Sequence, residues 1–384
     1  MFAAALRLGL TSFGGPTAHI GYFHTDYVVR RRWLAEDEFA DLVGLAQFLP
    51  GPASSQLGFA VGMVRAGPLG GLAAWLGFTL PSAVAMIAFA YGVAGNRDIA
   101  SAGWVHGLEL AAVAVVALAV WQMGSRFARG PVELAIAVAA AAAVLALDVP
   151  AVQVLAIVTG AVLGRLLLRA DRAGPARAPI DLGIGRRAAA SAVAVALALL
   201  VVAPHARRAT DSHTVSMTAG FYESGALVFG GGHVVLPLLH ARTVDPGWVD
   251  ERDFVAGYGA AQAVPGPLFT FAAYLGAVQG PEPNDVPGGV LALVAIFLPG
   301  LLLLVGTAPF WTALRARPSS AAALAGVNAA VVGVLLAALY DPLATTAIGN
   351  VTEALIAVAG FGLLLRVPPW VVVVACAGAG QLLL

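Results

Sequence analysis

Long apolar runs separated by short polar stretches fill most of this 384-residue chain. A helix needs about 20 apolar residues to cross a bilayer, and backbone groups in lipid must be hydrogen-bonded within a helix or a closed barrel. The runs are rich in Ala, Leu and Gly and lack the ten-residue alternation of barrel strands. We therefore expect an all-α polytopic membrane protein. Thirteen candidate segments lie near 1–24, 39–63, 68–94, 103–123, 131–148, 150–169, 188–203, 217–241, 254–280, 287–310, 321–340, 350–365 and 368–384.

One part of this pattern appears twice. The stretch from Trp33 to Pro52 matches the stretch from Trp248 to Pro267 at a constant offset of 215 residues. Duplicated membrane units with Gly and Pro at matching places are typical of secondary transporters whose site lies between the halves. The predicted divisions are a first repeat at 1–169, an Arg-rich loop and linker helix at 170–216, and a second repeat at 217–384.

The number of crossings decides how the repeats are oriented, because an odd number before the second repeat inverts it. Short cytoplasmic loops collect basic residues. If the loop from Arg165 to Arg187 is cytoplasmic and every segment crosses, most other arginines also fall inside, which favours inverted repeats. The cluster Arg30-Arg31-Arg32 then falls outside. Either it has a function that overrides the rule, or the segment at Pro50 re-enters the membrane and the count differs.

The amino-acid composition argues against several classes of function. Hydrophobic residues make up 60% of the chain and charged residues 11%, so no sizeable soluble domain is present. Cys376 is the single cysteine, which excludes an intrachain disulfide and argues against thiol redox chemistry. The first ten residues lack a charged leader and cleavage site, so we expect no removable signal peptide. No metal site, ATP-binding loop or nucleophile motif is found, so we expect no cofactor, no nucleic-acid partner and no enzyme activity.

Two Pro-Gly-Pro triplets interrupt apolar segments at matching positions. Pro50-Gly51-Pro52 follows Gln47 by three residues, and Pro265-Gly266-Pro267 follows Gln262 in the same way. Proline removes an amide donor and glycine permits unusual backbone angles, so each triplet is expected to break its helix. Broken membrane helices either line a ligand site or form packing kinks, and the repetition favours a site. Neutral hydrogen-bond donors then follow the breaks, namely Ser54, Ser55 and Gln56 in the first copy and Thr270 in the second.

Two glycine runs also interrupt apolar segments, at Phe13-Gly14-Gly15-Pro16 and Phe229-Gly230-Gly231-Gly232. They form either backbone anion nests or sites of close helix packing. They lack the spacing and strand context of a dinucleotide-binding motif.

Ionisable residues inside a membrane are costly and are therefore functional candidates. Arg7 and Glu223 occupy equivalent repeat positions, so they either pair at the centre or lie at segment ends and reach water. His19 and His233 lie beside the glycine runs and are either proton-coupling or structural residues. Glu109, which follows His106 in an apolar run, is a proton-relay candidate or a residue near the interface.

The cluster Arg30-Arg31-Arg32-Trp33, followed by Glu36, is strongly charged. It fits an ordinary interfacial loop with an aromatic anchor. Alternatively, the three guanidinium groups form an electrostatic funnel that concentrates anions at a pore mouth.

The chain resembles the chromate ion transporter family in its long two-domain form. The resemblance rests on Phe13-Gly14-Gly15-Pro16, on Gln47-Phe48-Leu49-Pro50-Gly51-Pro52, and on the second-half versions of both motifs. It implies proton-motive-force-driven chromate efflux across a bacterial inner membrane, with chromate resistance, sulfate as a competing dianion, and homologous halves of opposite orientation. Sulfate or another oxyanion as the substrate, and a passive anion channel, remain alternatives, and a homodimer is plausible.

Overall fold

The described part of the computed structural model comprises residues 1–93, 103–147, 151–168, 180–229, 232–315 and 317–383. Within these ranges the chain is helical and has no β-strand, which confirms the all-α prediction. Five helices are long and apolar enough to cross a membrane, at Ala53–Gly92, Gly103–Phe127, Arg186–Ala209, Asp285–Leu314 and Pro318–Ala347. Several of the other predicted segments form shorter apolar helices or are broken into two.

The first repeat and the linker contain eight helices in the described residues. A π-helical turn, His24–Arg30, continues the second of them. Residues 169–179, which are part of the predicted Arg-rich stretch from Arg165 to Arg187, lie outside the described residues. The helices are α1 (Phe2–Thr11), α2 (Gly15–Phe23), α3 (Glu36–Phe48), α4 (Ala53–Val93), α5 (Gly103–Phe127), α6 (Pro131–Ala146), α7 (Ala151–Leu167) and the linker helix α8 (Arg186–Ala209).

The second repeat follows the same order, with more interruptions. In the described residues, short 3₁₀ turns precede three of its helices, at Gly232–Val234, Leu268–Thr270 and Ala308–Phe310. The α-helices are α9 (His213–Ala226), α10 (Val235–Thr243), α11 (Glu251–Ala263), α12 (Phe271–Val278), α13 (Asp285–Thr307), α14 (Trp311–Arg315), α15 (Pro318–Ala338), α16 (Thr345–Ala347), α17 (Val351–Leu364) and α18 (Pro369–Leu383).

Both Pro-Gly-Pro triplets break helices, as predicted. α3 ends at Phe48 and α4 begins at Ala53, while α11 ends at Ala263 and the next turn begins at Leu268. The glycine run at Gly14 likewise separates α1 from α2. Each repeat therefore begins with two discontinuous helices.

After each Pro-Gly-Pro triplet the chain folds back on itself. α4 breaks at Ala66 and Gly67, and the backbones of Gly62 and Gly70 are in close contact. Eight residues of unbroken helix would span about 12 Å, so this contact requires a hairpin. The second repeat forms the same hairpin from α12 and α13, where Gly276 packs against Gly288.

Small residues also hold the first helix of each repeat against the long arm of this hairpin. A Cβ atom on Gly9 would lie 2.6 Å from the Phe78 carbonyl oxygen, and Gly225 packs equally closely on Ile296. The two contacts occupy equivalent positions in the repeats. Close backbone approach through glycine is typical of helix association in membranes.

The last two helices of each repeat are exchanged. α6 and α7 pack on α15 of the second repeat, with Gly160 and Gly164 against Gly326. α17 and α18 pack on α5 of the first repeat, with Gly380 against Gly103. The two repeats therefore interlock, and neither buries its apolar helices alone.

Candidate functional site

The two Pro-Gly-Pro triplets make reciprocal contacts between the repeats. The Gly51 amide donates to the Val228 carbonyl oxygen at 2.7 Å, and the Gly266 amide donates to the Ser12 carbonyl oxygen at 2.9 Å. Each acceptor precedes the glycine run of the opposite repeat. A contact in which each half provides the same donor and the same acceptor is the pattern of a two-fold relationship. The four helix breaks therefore contact one another in two equivalent pairs, and we refer to this arrangement as the crossing.

The glycines at this crossing have backbone angles that other residues rarely adopt. Gly51 has a φ of 114° and Gly266 a φ of 104°. A Cβ atom on Gly51 would lie 3.1 Å from the Cα atom of Gly300, and one on Gly266 would lie 2.8 Å from Ser82 Oγ. Both their conformation and their surroundings require glycine. Their amides are already hydrogen-bonded, so their role at the crossing is to hold the helix breaks in place.

Polar side chains after the breaks serve partly as internal braces. Gln56 donates through Nε2 to the carbonyl oxygens of Pro50 and Gly300, both at 2.9 Å. Thr270 donates to the Pro267 carbonyl oxygen at 2.9 Å. Ser54 is buried beside this network at 3% exposure. Gln56 was expected as a donor to a ligand after the break, but its Nε2 donates to these backbone carbonyl oxygens instead.

A cavity of about 330 Å³ lies beside the first triplet. It is large enough for an oxyanion together with several waters. Gln47 and Gly51 contribute to its wall from the first motif, while Arg126 comes from α5 and Asn328 from α15. Trp311, at the start of α14, completes the polar part of the lining. We refer to this space as the Gln47 cavity.

The polar groups of the Gln47 cavity are incompletely satisfied by the protein. Among the described residues, Trp311 Nε1 and Asn328 Oδ1 are buried without a hydrogen-bond partner. In the same part of the chain, no acidic side chain forms an ion pair with Arg126. Buried polar atoms in native proteins are normally paired, so unpaired ones here indicate a place for a ligand or water.

These groups suit an oxyanion chemically. Arg126 offers five N–H donors in a planar fork, Gln47 two amide donors and Trp311 one indole N–H. Arginine matches tetrahedral and planar oxyanions because its fork binds two oxygens at once. Sequence analysis did not assign a site role to Arg126, Trp311 or Asn328, because none belongs to the repeated motif. Asn328 was the one sequence signal of a polar site here, because it places an amide inside the otherwise apolar run at 321–340.

Gln262, the counterpart of Gln47, is less exposed than Gln47. It is half-buried, and its Nε2 is a buried donor without a partner in the described structure. Gln47 is exposed to its cavity. The two motif glutamines are thus in different environments, which makes the crossing asymmetric.

The glycine run at Gly14 and Gly15 adopts positive φ angles of 98° and 77°. These angles allow the sharp connection between α1 and α2. Gly230 and Gly231, their predicted partners, lie outside the described residues.

The two histidines beside the glycine runs are bonded to protein groups. His19 is buried and its Nε2 lies 3.2 Å from the Ser12 carbonyl oxygen, the same oxygen that accepts from Gly266. Its Nδ1 has no partner among the described atoms. His233 Nδ1 lies 2.6 Å from the Tyr258 hydroxyl oxygen. His19 is therefore part of the crossing, whereas His233 is anchored to α11.

Arg7 and Glu223 do not pair, so that alternative was wrong. Glu223 binds Arg207 at 2.9 Å and Arg242 at 2.6 Å, whereas Arg7 is exposed. The reason is that α8 brings Arg207 to the second repeat, where it binds the Glu223 carboxylate together with Arg242. The carboxylate of Glu223 is neutralised by two guanidinium groups.

The predicted funnel of three arginines is partly neutralised as well. Asp26 binds Arg31 at 2.6 Å and lies 3.9 Å from Arg30. The Arg31 guanidinium also lies 4.9 Å from the Trp33 ring centroid. Arg32 is exposed. These contacts favour the interfacial-anchor interpretation of the cluster.

A repeated pair of side chains was missed by the sequence analysis. His24 contacts Glu36 at 2.9 Å in the first repeat, and His240 contacts Glu251 at 2.8 Å in the second. The residues are offset by 216 and 215 positions, so the pairs are equivalent. Each connects the segment after a glycine run to the helix before a Pro-Gly-Pro triplet.

Comparison with known proteins gives matches along most of the chain. The family profile described as "Chromate transporter" matches residues 1–165 and 215–381. A "Probable chromate transport protein" of Synechococcus elongatus is 30% identical over 339 residues, which cover 87% of this chain and 81% of that protein.

Two further relatives have similar coverage. A "Chromate transport protein" of Cupriavidus metallidurans is 27% identical, over 94% of this chain and 86% of that protein. One of Pseudomonas aeruginosa is 28% identical, over 90% of this chain and 81% of that protein. Comparison with solved structures gives no significant match.

Proposed function

Because the chain belongs to the chromate transporter family, we propose that it is a secondary transporter that exports chromate from the cytoplasm. The membrane is the bacterial inner membrane, the driving force is the proton-motive force, and the consequence for the cell is chromate resistance. Transport requires no covalent chemistry on the substrate.

The observation that carries this proposal is the Gln47 cavity. It combines an arginine without an acidic partner in the described chain, an unpaired indole donor and a motif glutamine beside a broken helix. Hydrogen bonds to an ionised group are stronger in a partly desolvated site than in water. A tetrahedral dianion bound here accepts from Gln47, Arg126 and Trp311 at once.

The proposed substrate pathway runs through the crossing of the four breaks. Its residues come from both repeats, and bound anion passes from the Gln47 cavity toward the region of Gln262. The residues assigned to this pathway from the motifs are Gly14, Gly15, Gln47, Pro50, Gly51, Pro52, Ser54, Gly230, Gly231, Gln262, Pro265, Gly266, Pro267 and Thr270.

Alternating access follows from two repeats related by a two-fold axis. If the axis lies in the membrane plane, the repeats are inverted and the same crossing opens to either side in turn. The reciprocal hydrogen bonds of Gly51 and Gly266 support the two-fold relationship. The odd number of crossings that the sequence predicts before the second repeat is consistent with an axis in the membrane plane.

Selectivity between chromate and sulfate rests on cavity size and hydrogen-bond geometry, because the two dianions have the same charge and shape. Sulfate therefore competes for the same donors. A larger oxyanion gains more contact with the walls of the Gln47 cavity.

Uptake of labelled chromate into everted membrane vesicles tests the proposal. Vesicles that acidify their lumen are compared with vesicles treated with a protonophore, and with vesicles lacking the protein. We expect saturable, protein-dependent accumulation that the protonophore abolishes and excess sulfate reduces. Flux that persists with the protonophore and rises linearly with concentration would instead identify an anion channel.

A further inference from the structure

Three titratable side chains meet at the amino ends of α5 and α17, away from the Gln47 cavity. His106 Nδ1 lies 2.7 Å from Glu109 Oε2, and His106 Nε2 lies 3.0 Å from Glu353 Oε1. Glu109 is only 3% exposed. The imidazole of His106 is therefore held between two carboxyl groups, one from each repeat.

This geometry fixes the minimum number of protons in the cluster. An ionised carboxylate only accepts hydrogen bonds, so each of the two contacts needs a proton on the ring nitrogen or on the acid. The cluster therefore holds either an imidazolium between two carboxylates or a neutral imidazole with one carboxylic acid. Both forms have a net charge of −1, and one further proton makes the cluster neutral.

Glu353 is not the group that accepts this further proton. Its Oε2 atom accepts the backbone amides of Gly349 and Asn350 at the start of α17. Amides at a helix start favour a carboxylate over a carboxylic acid. In the part of the chain that the structure describes, Glu109 accepts no such backbone amide, and its carboxyl group contacts the His106 ring. The exchangeable proton therefore belongs on Glu109.

The other helices packed on α5 present few charges to Glu109. From α11, Arg252 and Asp253 interact with it electrostatically and offset each other in sign. From α17, Glu353 reaches it through His106. Neither α15 nor α18 contains a charged residue, whereas the π-helical turn Leu339–Ala344, which also packs on α5, carries Asp341, whose carboxylate accepts from the Thr345 hydroxyl. A proton bound or released at Glu109 thus changes the charge of the His106 cluster and the field that Arg252 and Asp253 on α11 experience.

The cluster is mechanically connected to the anion pathway in two ways. The backbone of Leu108 packs directly on Gly259 of α11, three residues before Gln262. Arg126 of the Gln47 cavity lies 17 residues after Glu109 in α5, a separation of about 25 Å along a helix. The helix α5 therefore contacts α11, which leads to the second triplet, and also carries the arginine of the Gln47 cavity.

We propose that His106, Glu109 and Glu353 form the proton-binding site, with Glu109 holding the proton that is exchanged for the anion. The exchange of this proton for an anion rests on the proposed chromate transport, whereas proton binding at Glu109 does not depend on it. Protonation at Glu109 weakens the charge that faces α11, and this biases the position of the helix that leads to Pro265-Gly266-Pro267.

The test separates proton binding from transport. In the purified protein, infrared difference spectra between two pH values report protonation of buried carboxyl groups. Wild-type protein is compared with Glu109→Gln, and with Glu282→Gln, which changes an exposed loop carboxylate. We expect a carboxyl signal that is absent in Glu109→Gln and unchanged in Glu282→Gln. An unchanged signal in Glu109→Gln overturns the proposal.

The same variants are then reconstituted in vesicles. Glu109→Gln is expected to lose chromate accumulation driven by a pH gradient, down to the level of protein-free vesicles. It should keep chromate exchange between equal internal and external concentrations at equal pH, and Glu109→Asp should keep both activities. If a folded Glu109→Gln variant loses both chromate exchange and chromate accumulation, the cluster has a structural role and the proposed coupling role is overturned. If wild-type protein neither exchanges nor accumulates chromate, the transport proposal fails while the infrared result still decides whether Glu109 binds the proton.

Discussion

Replacement of Arg126 by glutamine tests the anion site most sharply among single substitutions. Arg126 lines the Gln47 cavity from α5, is exposed there, and has no acidic partner in the described chain. Arg126→Gln removes the positive charge but keeps a polar, flexible side chain of similar reach. The substitution therefore leaves the fold intact and changes only what the cavity offers to an anion.

The magnitude follows from the environment of the guanidinium. Hydrogen bonds to an ionised group contribute about 1.5–3 kcal/mol. Because Arg126 is exposed and screened by solvent, the lower end applies, about 1.5 kcal/mol. Since 1.4 kcal/mol corresponds to a factor of ten, the half-saturating chromate concentration should rise about tenfold. Added salt should reduce this difference, because it screens the charge that Arg126 supplies.

Arg129 provides a matched control on the same stretch of chain. It is exposed like Arg126, but its Nε donates to the Ser125 carbonyl oxygen, and it does not line the cavity. The concentration dependence of labelled chromate uptake in everted vesicles is measured for wild type, Arg126→Gln and Arg129→Gln. An unchanged half-saturating concentration in Arg126→Gln, or an equal rise in Arg129→Gln, would refute the reasoning.

Three further predictions concern the crossing, the cavity and the buried ion cluster. Gly51→Ala should lower thermal stability by about 1–3 kcal/mol, because its φ of 114° is strained for alanine, and should abolish flux; alanine at Gly21, which has open space around its Cα, is the control for helix substitution. Trp311→Phe should raise the half-saturating chromate concentration without reducing stability, since it removes an unpaired buried donor and keeps the aromatic contact; equal affinity would remove Trp311 from the site. Glu223→Gln should lower the melting temperature more than Arg7→Gln, because it leaves Arg207 and Arg242 facing each other without their shared carboxylate; equal melting temperatures would show that the cluster contributes nothing to stability.

The repeated motifs predicted the centre of the molecule well. Gly51, Gly266 and the prolines on either side of each dictate the local backbone geometry. Helix breaks at these positions could therefore be inferred without any tertiary information. The matching offsets also predicted that the two breaks are equivalent. The reciprocal hydrogen bonds to Val228 and Ser12 extend that inference but were not foreseen.

The remaining site residues could not be predicted because they depend on how distant helices pack. Arg126 and Asn328 lie about 200 positions apart in the chain and meet only because α5 and α15 both border the first triplet. The exchange of hairpins between the repeats has the same origin, since glycines such as Gly160 and Gly326 match by shape rather than by sequence pattern.

The equivalence of the repeats also led to one wrong prediction. Arg7 and Glu223 hold matching positions, which suggested a pair on the two-fold axis. The linker helix α8 breaks that equivalence, because it supplies Arg207 to the second repeat alone. The pseudo-symmetry therefore holds for the backbone contacts of Gly51 and Gly266 but not for the ion pairs of Glu223.

A structure of the protein with chromate bound would test the central claim most directly, because the anomalous scattering of chromium locates the anion independently of its surroundings. The account predicts a chromium position in the Gln47 cavity, with chromate oxygens within hydrogen-bond distance of Arg126, Gln47 and Trp311. Chromium bound elsewhere, for example at Arg30-Arg31-Arg32 with the Gln47 cavity filled only by water, would contradict it.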